Sequence, residues 1–399
     1  MISKSVDSIY GKYKCRINGE LIYCLALVIA LGTSTLMTTM FVMPGILYNM
    51  GACIAIMLLI AKIVIFDKNT LRSLIFKGSI IALSIIAYMN NRNIWIACWM
   101  VLLVGAIGVR FEKILNIYLV ITISVVTTAF IASLLNVIVN LRYYTVDGYR
   151  NSFGIVYPTD FAAHVFFIMA TLIYLRRDSI RKIHLLLFLL IDGIVFYYCL
   201  TKLDCQCILL LIVGVLICQE YERLAKRSAR AKYRTDKQRD YSWIGIGSTI
   251  FTIICMSVLS WTYGMIDYSP EFVKKYWTLF ERFRLSKAAF TTKHINLFGQ
   301  YIVWLGNGGT LKKQEGYNFV DCSYFKCLYD NGVILSILVM IVIVYCCKKM
   351  KRDILFQVIM AVLAVNYMIA HHMLDISYNI FLLVAFASIK EKATLERVE

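Results

Sequence analysis

The sequence predicts an all-α, polytopic integral membrane protein, and three observations carry that expectation. Hydrophobic residues make up 60% of the 399-residue chain and charged residues only 17%, far from the composition of a soluble globular domain. Apolar runs of about 17 to 25 residues, enough to cross ~30 Å of hydrocarbon, recur along the whole sequence. Only three prolines are present, so little interrupts long helices. The chain reads as one transmembrane domain, 1–399, with about twelve transmembrane helices.

The expected spans follow in order. Lys4, Lys12, Lys14 and Arg16 precede the apolar run Leu21 to Met43; positive charge there places the N-terminus in the cytoplasm. The first twenty residues lack the apolar core of a secretory signal. Met50 to Phe66 is the second span, and Lys68, Arg72 and Lys77 mark a cytoplasmic loop. Leu74 to Met89 and Ile94 to Val109 form a hairpin around Asn90-Asn91-Arg92-Asn93. Ile114 to Val139 is the fifth span and Phe161 to Leu175 the sixth, with the outer loop 140–158 between them. Leu185 to Leu200 and Cys205 to Cys218 are joined by the tight outer link Thr201-Lys202-Leu203-Asp204. The basic stretch 219–241 then reads as a solvated cytoplasmic loop near anionic lipid. Trp243 to Tyr263 is the ninth span, Val333 to Cys347 the tenth, and Ile354 to Ala370 and Ile376 to Ile389 close the chain around His371-His372. Both termini are expected in the cytoplasm.

A formal charge of +18 invites a nucleic-acid reading, but most basic residues fall in alternate short loops, the positive-inside pattern. No nucleic-acid partner is expected. Most of the thirteen cysteines lie in apolar runs, where they act as small apolar residues. Neither Cys205-x-Cys207 nor Cys346-Cys347 has metal-ligand spacing. Cys322 and Cys327 share one loop, which leaves a pairing open.

The large loop 264–331, between spans nine and ten, is too long for a connector and too polar for a span. It holds two arginines, seven lysines and one histidine, and such loops carry chemistry. Phe272, Val273, Tyr276, Leu279, Phe280 and Phe283 recur at helical spacing, which predicts an amphipathic helix on the outer leaflet. Arg142 and Arg150 are retained in the other outer loop. They fit an ordinary polar loop ahead of a capped helix, or a guanidinium held to bind phosphate bidentately. Lys202 and Asp204 read as a local ion pair or as the lining of a polar cavity. His164 reads more simply as a packed histidine than a catalytic one. Adjacent His371 and His372 point apart on a helix, so they make a weak metal pair. No carboxylate pair occurs in an outer loop, and neither a metal nor another cofactor is expected.

Several stretches, in order, resemble the Wzy-type polysaccharide polymerases of bacterial surface and capsular pathways. They are Arg150-Asn151-Ser152-Phe153-Gly154 with Pro158, the Thr201 to Asp204 link, Arg282 to Leu285, Leu297-Phe298-Gly299, and Asp321 to Tyr324 followed by Asn331-Gly332-Val333-Ile334. The resemblance runs from Asn140 to the C-terminus. It departs at Tyr157-Pro158-Thr159, where His-Pro-Asn is frequent, and in the link, where Lys202 stands without the usual arginine. The resemblance implies a GT-C-like, inverting membrane glycosyltransferase in the bacterial cytoplasmic membrane. It would polymerise undecaprenyl-pyrophosphate-linked oligosaccharide repeat units at the outer face and release undecaprenyl pyrophosphate. Arg150, Arg282, Arg284 and Lys202 would bind the pyrophosphate; His294, Asp321 or His371 would serve as base; Tyr276, Trp277, Tyr317 and Tyr324 would stack on sugars. Partners would be the lipid-linked substrate, membrane lipid, and flippase and chain-length regulator proteins. A flippase or transporter of the same lipid, or an O-antigen-ligase-like enzyme, is the alternative.

Overall fold

Nine helices among the described residues are long and apolar enough to cross a membrane, and two shorter apolar helices join them. The chain is an all-α polytopic membrane protein. The computed structural model describes residues 18–145, 148–231, 239–266, 268–311 and 315–389, with no side-chain description for 226–231. The basic N-terminal residues Lys4 to Arg16, and residues 232–238 of the basic loop, lie outside the described residues.

The helices are α1 Gly19–Met37, α2 Gly45–Ala61 (continued by a π turn, Lys62–Phe66), α3 Leu71–Asn91, α4 Ile94–Gly105, α5 Phe111–Leu134, α6 Pro158–Leu175, α7 Lys182–Cys199, α8 Lys202–Ala231, α9 Ser242–Thr262, α10 Pro270–Lys275, α11 Trp277–Thr292, α12 Ser323–Lys349 and α13 Ile354–Ile369. A two-stranded hairpin, β1 Arg142–Thr145 and β2 Gly148–Asn151, is antiparallel with Tyr143 opposite Arg150. Local signals set the boundaries. Asn18, Thr70, Asn93 and Asp353 cap the N-termini of α1, α3, α4 and α13 with side-chain oxygens, satisfying amides that a helix start leaves open. Arg92 and Leu200 stop α3 and α7 in the left-handed conformation.

The long helices give the bundle two ends. The loop end carries 135–157, 263–322 and the turn after α13. The opposite, basic end is tied by ion pairs: Lys62 Nζ to Asp67 at 2.7 Å, Lys77 Nζ to the same carboxylate at 2.6 Å, and Arg177 to Asp353. Lys62 also donates to the carbonyls of Gly105 and Ile107 at 2.8 and 2.5 Å, so it caps the end of α4.

Three expectations change. The final apolar run is not a helix. After Ala370 the chain returns through the bundle as irregular backbone with one 3-10 turn, Phe381–Ala385. Irregular backbone survives in an apolar setting only when protein surrounds it and meets its polar groups. Here Ile380 to Val384 are fully buried, Lys349 Nζ donates to the carbonyls of Ala385 and Ala387 at 3.0 and 2.6 Å, and Asn379 donates to Tyr367 and to the Met373 carbonyl. Secondly, α12 begins at Ser323, so the last residues of the 264–331 segment are helical. The helix bends at Gly332 (φ 80°, ψ 177°). A Cβ there would fall on the Gly299 amide nitrogen and the carbonyls of Asn296 and Leu297, so glycine is required on both counts. Amides of Val333 and Ile334 donate to the Asn296 and Leu297 carbonyls, both at 3.1 Å. The Leu-Phe-Gly and Asn-Gly-Val-Ile stretches are therefore two halves of one backbone crossing.

Thirdly, the expected amphipathic helix breaks at Tyr276 into α10 and α11. Phe280, Phe283 and Leu285 are buried against protein, with Phe280 packed on Tyr263 and Tyr268, rather than turned to a lipid surface. Cys322 and Cys327 are both buried, free thiols.

Candidate functional site

At the loop end, residues from five separate stretches converge. Arg150 is placed by the hairpin, whose turn back into the bundle needs Phe153 and Gly154 at positive φ (49° and 76°). A Cβ on Gly154 would meet the Ala129 carbonyl. Arg150 Nε donates to the carbonyl of Cys199, the last residue of α7, at 3.1 Å, and its guanidinium lies 5.5 Å from the Tyr157 ring centre. Arg282, in α11, is built the same way. Its Nε donates to the carbonyl of Ile369, the last residue of α13, at 2.6 Å, while Nη1 donates to the Thr278 carbonyl at 2.9 Å. Each arginine thus caps the negative end of a helix through Nε; Arg150 keeps both terminal nitrogens for another partner, Arg282 mainly its Nη2.

Arg282 is 9% exposed and lies 3.6 Å from Asp321. Burial pushes the Asp321 carboxyl above its ordinary value, while Arg282 and then Lys326 pull it back. Asp204, in the first turn of α8, is buried and interacts electrostatically with Arg282, Arg150 and Asp321. Asp160, in the first turn of α6, is coupled in turn to Asp204, Asp321 and Asp375. Carboxylates from the starts of two helices and the loop before α12 therefore share one electrostatic neighbourhood with the two guanidinium groups, and Asp321 approaches Arg282 directly. Tyr317 faces the same cluster, its hydroxyl raised by burial and by Asp321.

Beyond α13 the backbone turns extended at Ala370, which removes the helical geometry expected of His371-His372. Their rings lie 4.4 Å apart. His372 Nε2 is 3.8 Å from Asp160, and its ring stacks on Tyr378, with His164 on the same tyrosine. His164 also bonds Thr38 at 2.8 Å, a packed histidine. Burial, then His372, Lys326 and Arg282, hold the His371 imidazole well below its ordinary value; burial brings His372 to about 3. Burial thus favours the neutral imidazole at both positions. Donor atoms of Asp160, His371 and His372 all lie within 4.8 Å of one another, a nitrogen and oxygen set that suits a divalent transition metal. The outer-loop sequence gave no sign of it, because these residues come from the ends of α6 and α13.

The remaining anticipated residues lie elsewhere. Arg284 pairs with Glu281 on the exposed side of α11, at 2.5 Å. Lys202 is exposed while its neighbour Asp204 turns inward. His294 is exposed. Tyr276 and Trp277 are 41% and 56% exposed at the joint of α10 and α11, outside the cluster. The Tyr324 hydroxyl is used in the core, between Thr252 and the Ala364 carbonyl.

His371 also lines a cavity of about 450 Å³ roofed by residues 300–304. No family, no curated protein and no solved structure matched the chain when it was compared with each.

Proposed function

We propose that this protein polymerises undecaprenyl-pyrophosphate-linked oligosaccharide repeat units, as an inverting glycosyltransferase of GT-C-like architecture. The observation that supports the reading best is the pair of helix-capping arginines, Arg150 and Arg282, that both act electrostatically on buried Asp204, with Arg282 3.6 Å from Asp321. Guanidinium groups fixed through Nε present their remaining N–H donors to phosphoryl oxygens without reorganisation. Arg284, paired at the surface, and exposed Lys202 take outer roles at most.

In this scheme a hydroxyl of the incoming unit attacks the anomeric carbon of the growing chain. The bond from that carbon to the pyrophosphate oxygen breaks, and undecaprenyl pyrophosphate leaves with the electron pair. Arg150 and Arg282 offset the charge that develops on the leaving group. The hydroxyl proton passes to His371: burial keeps its imidazole unprotonated, and the negative charge of the bound pyrophosphate would offset the low basicity that burial and neighbouring cations impose. Asp321, engaged by Arg282, orients that arginine.

The proposed topology has twelve crossings: the nine long helices, α4, α13 and the irregular return after Ala370. The end bearing Lys62, Lys77, Arg177 and Lys349 is cytoplasmic by the positive-inside rule, and so are both termini, while the loop end faces outward in the bacterial cytoplasmic membrane.

The test is reconstitution in liposomes with undecaprenyl-pyrophosphate-linked repeats, read on a gel. A ladder of lengthened product is expected, and it should persist in EDTA because His371 acts here as a base. Single repeats redistributed across the bilayer would mean a flippase instead. Growth lost to EDTA and restored by Mn²⁺ or Zn²⁺ would reassign Asp160, His371 and His372 to a metal.

A further inference from the structure

The cavity beside His371 has a lining unlike either the lipid-facing helices or the arginine cluster. Trp95, Trp304 and Tyr301 supply aromatic faces; Asn91, Asn331 and Gln300 supply amides. Its floor and walls come from helix ends and its roof from the long loop. The bend at Gly332 carries the first turns of α12 beneath that roof, and Asn91 Nδ2 donates to Asn331 Oδ1 at 2.8 Å across the wall. Trp304 is fixed by its Nε1–H to Asp330 at 2.7 Å, with Lys326 over its ring at 4.8 Å. Lys326 in turn pairs with Asp330 at 2.9 Å, so this charge is spent within the wall. Trp95 stacks on Tyr48 with centroids 4.6 Å apart, and its Nε1–H is buried with no hydrogen-bond partner.

We infer that this cavity is a carbohydrate site that holds one or two pyranose rings of the acceptor, with a sugar hydroxyl delivered to His371. Pyranose rings have apolar C–H faces that pack on indole and phenol rings, and hydroxyls that both donate and accept, as side-chain amides do. The volume falls in the range of small-molecule sites, about 300–1,000 Å³. An acyl chain would gain nothing from a lining that sets Asn49, Asn91, Arg92, Gln300 and Asp375 among the aromatic rings. A phosphate headgroup would find Lys326 already held by Asp330, and would meet the Asp330 and Asp375 carboxylates as well as Arg92 in the lining. The inference rests on the polymerase reading for the word acceptor, but the carbohydrate site stands on its own lining.

Equilibrium dialysis of the full-length protein in nanodiscs provides the test. The probe is the radiolabelled repeat unit freed from its lipid and pyrophosphate by mild acid. Saturable binding is expected, weakened at least tenfold by Trp304→Leu and by Trp95→Leu, each of which removes an aromatic face. Arg150→Lys, on the pyrophosphate side, should bind the probe as the unmodified protein does. Absence of binding, or binding that both tryptophan variants retain at unchanged Tm, would overturn the site. Binding of the probe by a protein that forms no ladder would leave the carbohydrate site standing and remove the polymerase. A ladder with probe binding indifferent to both tryptophans would do the reverse.

Discussion

Both ends of the bundle bury charge, but they do so in different states of completion. At the basic end, Lys62 is 2% exposed and Lys77 1%. Every nearby contact closes on protein: one carboxylate for two ammonium groups, then Asn69 and the carbonyls of Gly105 and Ile107. At the loop end, Arg150 and Arg282 are anchored by Nε alone or nearly so, acidic groups crowd one another, and His371 opens on a cavity. Buried charge is costly unless paired and hydrogen-bonded. A cluster that completes itself serves the scaffold; one that keeps donors in reserve is arranged for something that arrives.

Arg282→Gln should separate the two ends most sharply. Removing a preorganised donor at a developing charge costs on the order of 10²–10³-fold in rate, so chain growth should fall by at least that factor. The ladder assay at equal amounts of folded protein checks it, and a normal ladder would dissolve the distinction. Lys62→Met should do the converse. It leaves Asp67 with one partner fewer in a buried setting, a loss of about 3–5 kcal/mol. Thermal unfolding in detergent should show a large drop in Tm, with growth per folded molecule unchanged.

Gly332→Ala should act on both stability and binding. Its positive φ costs about 1–2 kcal/mol for any L side chain, before the collision with Gly299. Lower Tm together with weaker glycan binding is expected, since the bend shapes the cavity. A pH series offers a gentler probe. An exposed histidine base would titrate near pH ~6.5, whereas His371 is held well below that by burial and neighbouring cations. Its base form therefore persists as pH falls, and initial growth rates should stay level from about pH 7.5 to 6. A half-maximal point near 6.5 would show a different, solvent-exposed base. Arg284→Ala marks the lower limit: a surface pair contributes ~0–1 kcal/mol, and both Tm and growth should barely move.

The sequence carried the scaffold well because spans are long and hydropathy integrates over many residues. Its failures have a common cause. The last apolar run, Ile376 to Ile389, is too short to distinguish a helix from irregular backbone, and only the donors of Lys349 and Asn379, distant or out of register, decide between them. Arg150 and Arg282 were legible as cations retained in the two loops read as outer. Asp204 left a local ion pair and a polar cavity equally open, and Asp160 stood out by no motif, because the groups they meet lie far along the chain. The cavity was hidden for the same reason: Trp95, Trp304 and Asn331 share no motif, and their segments meet through the Gly299–Gly332 crossing and the Asn91–Asn331 hydrogen bond.

The measurement that bears most directly on the account counts released undecaprenyl pyrophosphate against glycosidic linkages formed by the reconstituted protein. Transfer from a pyrophosphate donor predicts one released for every linkage, with both quantities falling together in Arg282→Gln. Repeats that cross the bilayer with neither release nor lengthening would contradict it.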